Sequence, residues 1–133
     1  MYSNEEAITM YREARIVGLS GSELLEDAQA IIRDCNGIGA DWMPTAMRKL
    51  CTALNPVMTL PAAIHDRRYA IGGAVPGRLF ADAEFLANSQ IMIDRTYCWL
   101  NPLRYLMRHR ANLYYSLLRA FGGAAYNEKG REA

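Results

Sequence analysis

One of the two histidines in this 133-residue chain lies among residues suited to hydrolytic chemistry. His65 is followed directly by Asp66, and Tyr69 comes four residues after the histidine. On a helix, residues four apart share a face, whereas Asp66 projects about 100° around the axis from His65. A neutral histidine can take a proton from water near neutral pH, and a carboxylate beside it can hold a cation. The spacing therefore predicts a metal-assisted hydrolytic site on a helix.

A histidine that acts as a base needs an acceptor on its other ring nitrogen, and Asp82 is the leading candidate. The glycines and proline within residues 72–77 predict a tight connection that folds the next helix back along the helix of His65. With the midpoint of this hairpin near Ala74, Asp82 lies within one turn of the level of His65. A carboxylate among apolar neighbours also requires a partner. Asp94 is a rival acceptor, but it lies about three turns beyond Asp82.

A glycine-rich segment, residues 36–41, precedes the His-Asp pair and contains Gly37 and Gly39. Glycines let backbone carbonyls approach a hard cation closely, and Ca²⁺ accepts a mixture of carbonyl and carboxylate oxygens. Asp66 would add a carboxylate to such a set of ligands. The same residues also suit a helix C-cap followed by a turn, so the segment by itself does not identify a metal site.

Capping and helix-breaking residues predict how this site is positioned. They indicate an all-α protein, a small bundle of about six helices with an antiparallel catalytic helix pair, in a single domain over residues 1–133. Almost no segment alternates with period two, so little or no sheet is expected. The predicted helices run from the Ser3–Glu6 capping box to about Ile16, from Ser20–Glu23 to a break at Cys35, over residues 44–54, from Thr59 to Ile71, from about Leu79 to Leu100, and from Asn101-Pro102 to Gly122.

Composition and charge restrict the class of protein. The net charge of +1 argues against a nucleic-acid binder. Acidic residues concentrate in residues 1–34 and basic ones in residues 91–133, which indicates either two solvated faces or a basic surface against anionic lipid. Three cysteines without tight spacing predict a disulfide-free protein in a reducing compartment. Without a signal peptide or an apolar run long enough to span a membrane, the chain is expected to be cytoplasmic as synthesised and delivered elsewhere later.

The segments Ile-His-Asp-Arg-Arg-Tyr at residues 64–69 and Ala-Asp-Ala-Glu-Phe-Leu at residues 81–86 resemble the phospholipase A₂ superfamily. The glycine-rich segment is similar to its calcium loop, so the resemblance covers residues 36–93. The likeness is greatest to disulfide-poor members from viruses, phages and bacteria. In the secreted enzymes, cysteines occupy the positions of Arg67 and Arg68, and the loop lies closer to the histidine without the helix at 44–54.

This resemblance implies a function and a set of roles. The chain would be a Ca²⁺-dependent hydrolase that cleaves the sn-2 ester of glycerophospholipids at a membrane surface. His65 would activate the water, Asp82 would orient His65, and Tyr69 would hydrogen-bond to Asp82. Asp66 would bind Ca²⁺ together with the backbone carbonyls of Gly37 and Gly39, and the cation would stabilise the oxyanion.

Two alternative functions remain open. A metal phosphohydrolase of the HD type shares the His-Asp dipeptide, but it needs several histidines as metal ligands, and this chain has two. A non-catalytic helical interaction protein, or a virion accessory component, could retain the same fold. In that case a polar face formed by Arg67, Arg68 and Arg78 would bind the partner. Neither the oligomeric state nor the lipid preference follows from the sequence.

Overall fold

The structure is a computed structural model that describes residues 2–35, 56–73 and 75–126. These residues form five α-helices and no strand, which confirms the prediction of an all-α protein. The helices are α1 (Asn4–Val17), α2 (Ala28–Asp34), α3 (Thr59–Ile71), α4 (Val75–Thr96) and α5 (Pro102–Phe121). Single 3₁₀ turns lie at Ser22–Leu25, Pro56–Met58 and Gly122–Ala124. The predicted helix over 44–54 and the loop containing Gly37 and Gly39 lie outside the described residues.

The first helix begins and ends as its caps predict. The Ser3 hydroxyl accepts a hydrogen bond from the backbone N–H of Glu6 at 3.1 Å, which satisfies one of the unpaired donors of the first turn. Gly18 ends the helix with a φ of 78°, a left-handed conformation that glycine adopts without a steric penalty. Between these caps the helix buries Ala7, Met10 and Ala14.

The second helix begins later than predicted, because Ser20 has long-range partners. Its hydroxyl donates to Glu84 at 2.7 Å, and its backbone N–H donates to the side-chain oxygen of Asn88 at 3.1 Å. Ser20 therefore connects the segment after α1 to α4 and does not cap a helix. The cap of α2 is Asp27, whose carboxylate accepts the backbone N–H groups of the following turn.

Gly21 lies where this connection crosses the α3–α4 hairpin, and substituting it should destabilise the protein. Its φ is 82°, and an added Cβ would lie 2.8 Å from Ile64 and 2.9 Å from Glu84. Gly18→Ala is a matched control, because Gly18 has a similar φ with open space around it. Left-handed strain costs each alanine variant about 1–2 kcal/mol. We expect Gly21→Ala to lose a further 1–3 kcal/mol or so from overpacking, measured by urea unfolding. Equal losses in the two variants would contradict the crowding at Gly21.

The last three helices pack together as two consecutive antiparallel pairs. Helix α4 begins at Val75, earlier than the predicted Leu79, because Pro76 fits the first turn of a helix, where its missing N–H has no partner to lose. It ends at Thr96 instead of Leu100. The side chain of Asn101 caps α5 as predicted, accepting from the N–H of Leu103 at 3.0 Å.

Helix α3 lies between two apolar clusters, which explains why His65 and Tyr69 are buried. Leu60, Ala63 and Ile64 pack toward α1 and α2, whereas Ala62 packs with the 3₁₀ turn before α3 and with residues of α4 and α5, among them Phe85. Polar side chains on a helix enclosed in this way must find partners inside the protein.

None of the helices among the described residues is both long enough and apolar enough to cross a membrane.

Candidate functional site

Asp82 is the centre of a buried polar cluster between α3, α4 and α5. Its side chain is 0% exposed. One carboxylate oxygen, Oδ1, lies 2.8 Å from Nε2 of His65 and accepts a hydrogen bond from the Tyr69 hydroxyl at 2.6 Å. The other oxygen, Oδ2, accepts from Nη1 of Arg119 at 2.7 Å. The structure thus brings together His65, Tyr69 and Asp82 and adds a cation from α5.

The partner of Nε2 determines which nitrogen of His65 can act as a base. An ionised carboxylate only accepts hydrogen bonds, so Nε2 carries the proton that points to Asp82. In the neutral ring Nδ1 then has the free lone pair, and within the described residues no hydrogen bond to Nδ1 is present. The ring is 6% exposed and lies 4.1 Å from the Tyr69 ring and 5.6 Å from the Phe85 ring, centroid to centroid. These contacts limit its rotation.

Asp82 stays ionised despite its burial. Burial by itself would raise the pKa of this carboxyl, but the hydrogen bonds from His65, Tyr69 and Arg119 outweigh it, and its pKa lies below the usual value. Because these partners exist only in the folded protein, the ionised form stabilises the fold.

This depressed pKa predicts acid sensitivity. A carboxyl whose pKa is lower in the folded state contributes stability above its unfolded pKa of about 3.9 and loses that contribution as the pH falls through the folded pKa. We therefore expect the free energy of unfolding to decrease as the pH is lowered below about 4. Urea unfolding at several pH values measures this slope. The slope should be smaller in Asp82→Asn, and an unchanged slope would show that Asp82 does not contribute to it.

Tyr69 is a protonated donor whose position depends on a glycine. Burial, and then its hydrogen bond to Asp82, raises the pKa of Tyr69 above the usual value, so the hydroxyl keeps its proton. Gly122, at the end of α5, provides the necessary space, because a Cβ there would lie 2.7 Å from the Tyr69 hydroxyl. The Tyr126 ring packs edge-on against the Tyr69 ring at 5.1 Å.

The three arginines of the alternative partner-binding face all have intramolecular hydrogen-bond acceptors. Arg67 donates to the carboxylate of Asp34 and to the carbonyl of Leu24. Arg68 makes two hydrogen bonds of 3.0 Å with Glu84. The third, Arg78, donates to backbone carbonyls at the end of α5. These guanidinium groups therefore have acceptors within the protein, and partner binding by this face stays an alternative prediction.

Asp66, about 100° around α3 from His65, lies within electrostatic range of Tyr2 and Cys35. Burial is the main reason why the pKa of Tyr2 is raised to about 12 and that of Cys35 is also raised, and the charge of Asp66 contributes to both shifts. The Cys35 thiol donates to the carbonyl of Ala63, one turn before Asp66, at 3.4 Å. The residue that directly precedes the glycine-rich segment is therefore fixed close to Asp66.

The predicted metal ligands are only partly within the described residues. Of the three, Asp66 is described, whereas Gly37 and Gly39 lie outside this part of the chain. Among the residues that the structure describes, no cluster of three or more His, Cys, Asp or Glu side chains could hold a metal ion. Both described cysteines, Cys35 and Cys98, are free.

Asp82, and not its rival Asp94, is the acceptor of His65, whereas Arg119 was not predicted from the sequence. The rival, Asp94, is paired with Arg104 at 3.1 Å and Arg108 at 2.6 Å, and its side chain is 40% exposed. Nothing in the local sequence marks Arg119 as a site residue, since it is 37 positions from Asp82 and is one of several arginines on α5.

No protein-family model, curated protein sequence or solved structure matches this chain. A buried carboxylate that holds one nitrogen of a histidine, and leaves the other with a lone pair, is the arrangement of a general base that activates water or a hydroxyl group.

Proposed function

We propose that this chain is a Ca²⁺-dependent phospholipase A₂-like hydrolase that cleaves the sn-2 ester of glycerophospholipids at a membrane surface. The observation that carries the proposal is the contact between Nε2 of His65 and Oδ1 of Asp82, with Tyr69 on the same oxygen. The resemblance of residues 64–69 and 81–86 to that superfamily assigns these three residues to one catalytic unit, and their contacts support that assignment. The antiparallel pair α3–α4 would be the catalytic helix pair.

The proposed reaction uses the free nitrogen of His65. Nδ1 takes a proton from a water molecule while the water oxygen forms a bond to the ester carbonyl carbon. Asp82 holds the opposite N–H and stabilises the positive charge that develops on the ring. The proton then passes to the leaving alkoxide as the ester bond breaks, which produces a fatty acid and a lysophospholipid. The ring contacts of His65 keep the base oriented throughout.

Of the proposed calcium ligands, Asp66 lies among the described residues. Its carboxylate would bind the ion together with the carbonyls of Gly37 and Gly39. Oxygen ligands of this kind suit Ca²⁺. When bound, the ion would polarise the ester carbonyl and stabilise the charge that develops on its oxygen.

Two ion pairs occupy the positions where the secreted enzymes of the superfamily have cysteines. Arg67 binds Asp34 at the end of α2, and Arg68 binds Glu84 on α4. These pairs link α3 to both neighbouring helices without a disulfide. They support the proposal that a disulfide-poor version of the fold can hold the same residues in place.

Release of fatty acid from mixed phospholipid vesicles, with Ca²⁺ and with chelator, tests the proposed function. We expect release that requires calcium and that yields the sn-2 fatty acid and the lysophospholipid in equal amounts. Calcium binding without any ester hydrolysis, in protein shown to be folded by circular dichroism, would favour the alternative of a non-catalytic interaction protein. Equal release with calcium chelated would exclude the calcium mechanism.

A further inference from the structure

Helix α5 contributes one side chain to the site, and the local sequence does not indicate it. The Arg119 guanidinium donates to Oδ2 of Asp82, whereas His65 and Tyr69 share Oδ1. We propose that Arg119 is a positioning residue of this site, which holds Oδ2 so that Oδ1 stays directed at Nε2 of His65. The expected effect of Arg119 on kcat rests on the proposed function.

The carboxylate needs a third partner because two donors on one oxygen do not fix its orientation. The terminal torsion of an aspartate is broad, so a carboxylate that is held at one oxygen only can rotate its plane away from the histidine. Asp82 is fully buried, and no bulk water is available to satisfy Oδ2. The donor from α5 satisfies this oxygen and thereby fixes the plane of the carboxylate.

The position of Arg119 is in turn set by α4. Arg78, one turn before Asp82, donates to the carbonyl of Leu118 at 2.7 Å and to that of Arg119 at 3.0 Å. Both carbonyls belong to the last turn of α5, where the carbonyl of Leu118 also accepts the N–H of the C-cap residue Gly122. The hydrogen bonds of Arg78 therefore connect the end of α5 to α4 at the level of the site. This connection places the guanidinium of Arg119 beside Asp82.

A second ion pair between the same two helices provides the control for a merely structural role. Arg108 on α5 binds Asp94 on α4 at 2.6 Å, well away from His65. If Arg119 only joined the helices, then removing either arginine should have the same kind of effect. If Arg119 positions the carboxylate, then only its removal should change the properties of Asp82.

The protonation of Asp82 depends on the charged and titratable groups that face it in the described structure. His65 and Tyr69 face it from α3, Arg119 faces it from α5, and Arg78 of its own helix lies against the Tyr69 hydroxyl. Loss of Arg119 leaves a buried carboxylate with only the donors of α3. The carboxyl of Asp82 should then become easier to protonate, which the ¹³C resonance of its side chain reports directly.

The experiment compares Arg119→Gln, Arg119→Lys and Arg108→Gln with the wild type. In Arg119→Gln we expect the carboxyl pKa of Asp82 to rise by about one unit or more. Its kcat for fatty-acid release should fall roughly 10- to 100-fold, while KM changes little. Because Arg119 donates through a single nitrogen, Arg119→Lys should restore much of both properties. Arg108→Gln should resemble the wild type.

The outcomes distinguish this proposal from the proposed function. An unchanged Asp82 resonance in Arg119→Gln, or matching changes in kcat and KM for the two glutamine variants, would overturn the positioning role. Absence of hydrolysis in the wild type would overturn the proposed function, and the NMR titration would still decide whether Arg119 controls the Asp82 carboxylate. Should Arg119→Gln fail to fold, Arg119→Met, which keeps the apolar stem of the side chain and removes the donor, is compared with Arg108→Met in its place.

Discussion

Replacing His65 with glutamine should abolish calcium-dependent fatty-acid release without unfolding the protein. Glutamine can still donate an amide hydrogen to Asp82, but it has no basic nitrogen in place of Nδ1. General-base catalysis by a positioned side chain contributes about 10²- to 10⁴-fold, so we expect kcat to fall by at least that factor. The effect should appear in kcat and not in KM, because the lost interaction forms only in the transition state.

The second histidine of the chain provides a matched control. His109 is exposed on α5, and its conversion to glutamine should leave the rate of release unchanged. Initial rates on the same vesicles, together with circular dichroism spectra of both variants, test the pair. A His65→Gln variant that keeps its activity would show that another group activates the water, and it would remove the main support for the proposed mechanism.

Replacing Asp82 with asparagine should have the largest effect on stability. The substitution removes the charge that three donors share in the interior, and it leaves their N–H and O–H groups poorly matched. Removing one partner of a buried ion pair typically costs about 3–5 kcal/mol. Because the Arg119 side chain is 33% exposed and can turn toward solvent, we expect a loss near the lower end of that range.

Asp94→Asn is the corresponding control, because Asp94 is also an aspartate of α4 paired with arginines of α5. Its side chain is 40% exposed, and exposed ion pairs contribute about 0–1 kcal/mol. Urea unfolding at neutral pH should therefore separate the two variants by roughly 2 kcal/mol or more. Similar losses in both would mean that the burial of Asp82 has little energetic consequence.

The site residues on α3 and the level of Asp82 were predictable because they depend on local rules. Residues four apart on a helix share a face, so His65 and Tyr69 belong together wherever the helix lies. The short connection through residues 72–74 restricts how far α4 can shift along α3, and this brings Asp82 to the level of His65. The apolar surroundings of Asp82 indicated that it needed a partner.

The partners of the arginines and of Ser20 could not be predicted in this way. Arg119 reaches Asp82 across 37 positions, and Ser20 reaches Glu84 across 64. Such contacts depend on the rotation of each helix about its axis and on the packing between helices. The capping pattern at Ser20 is ordinary, and only its contacts with α4 show why no helix begins there. In the same way, the sequence indicates that Arg67 and Arg68 form a polar surface, whereas the structure shows that they pair with Asp34 and Glu84.

The all-α class, the caps of α1 and α5, and the juxtaposition of His65, Tyr69 and Asp82 could be inferred from the order of residues. All of these follow from helical periodicity, cap chemistry and a short hairpin, which act over a few residues. Three features emerge from the packing of the helices: the third donor to Asp82, the links that Arg67 and Arg68 make to neighbouring helices, and the space that Gly122 leaves for the Tyr69 hydroxyl. Those features depend on which surfaces of separate helices meet, and that is settled by burying apolar area and satisfying polar groups across the whole fold.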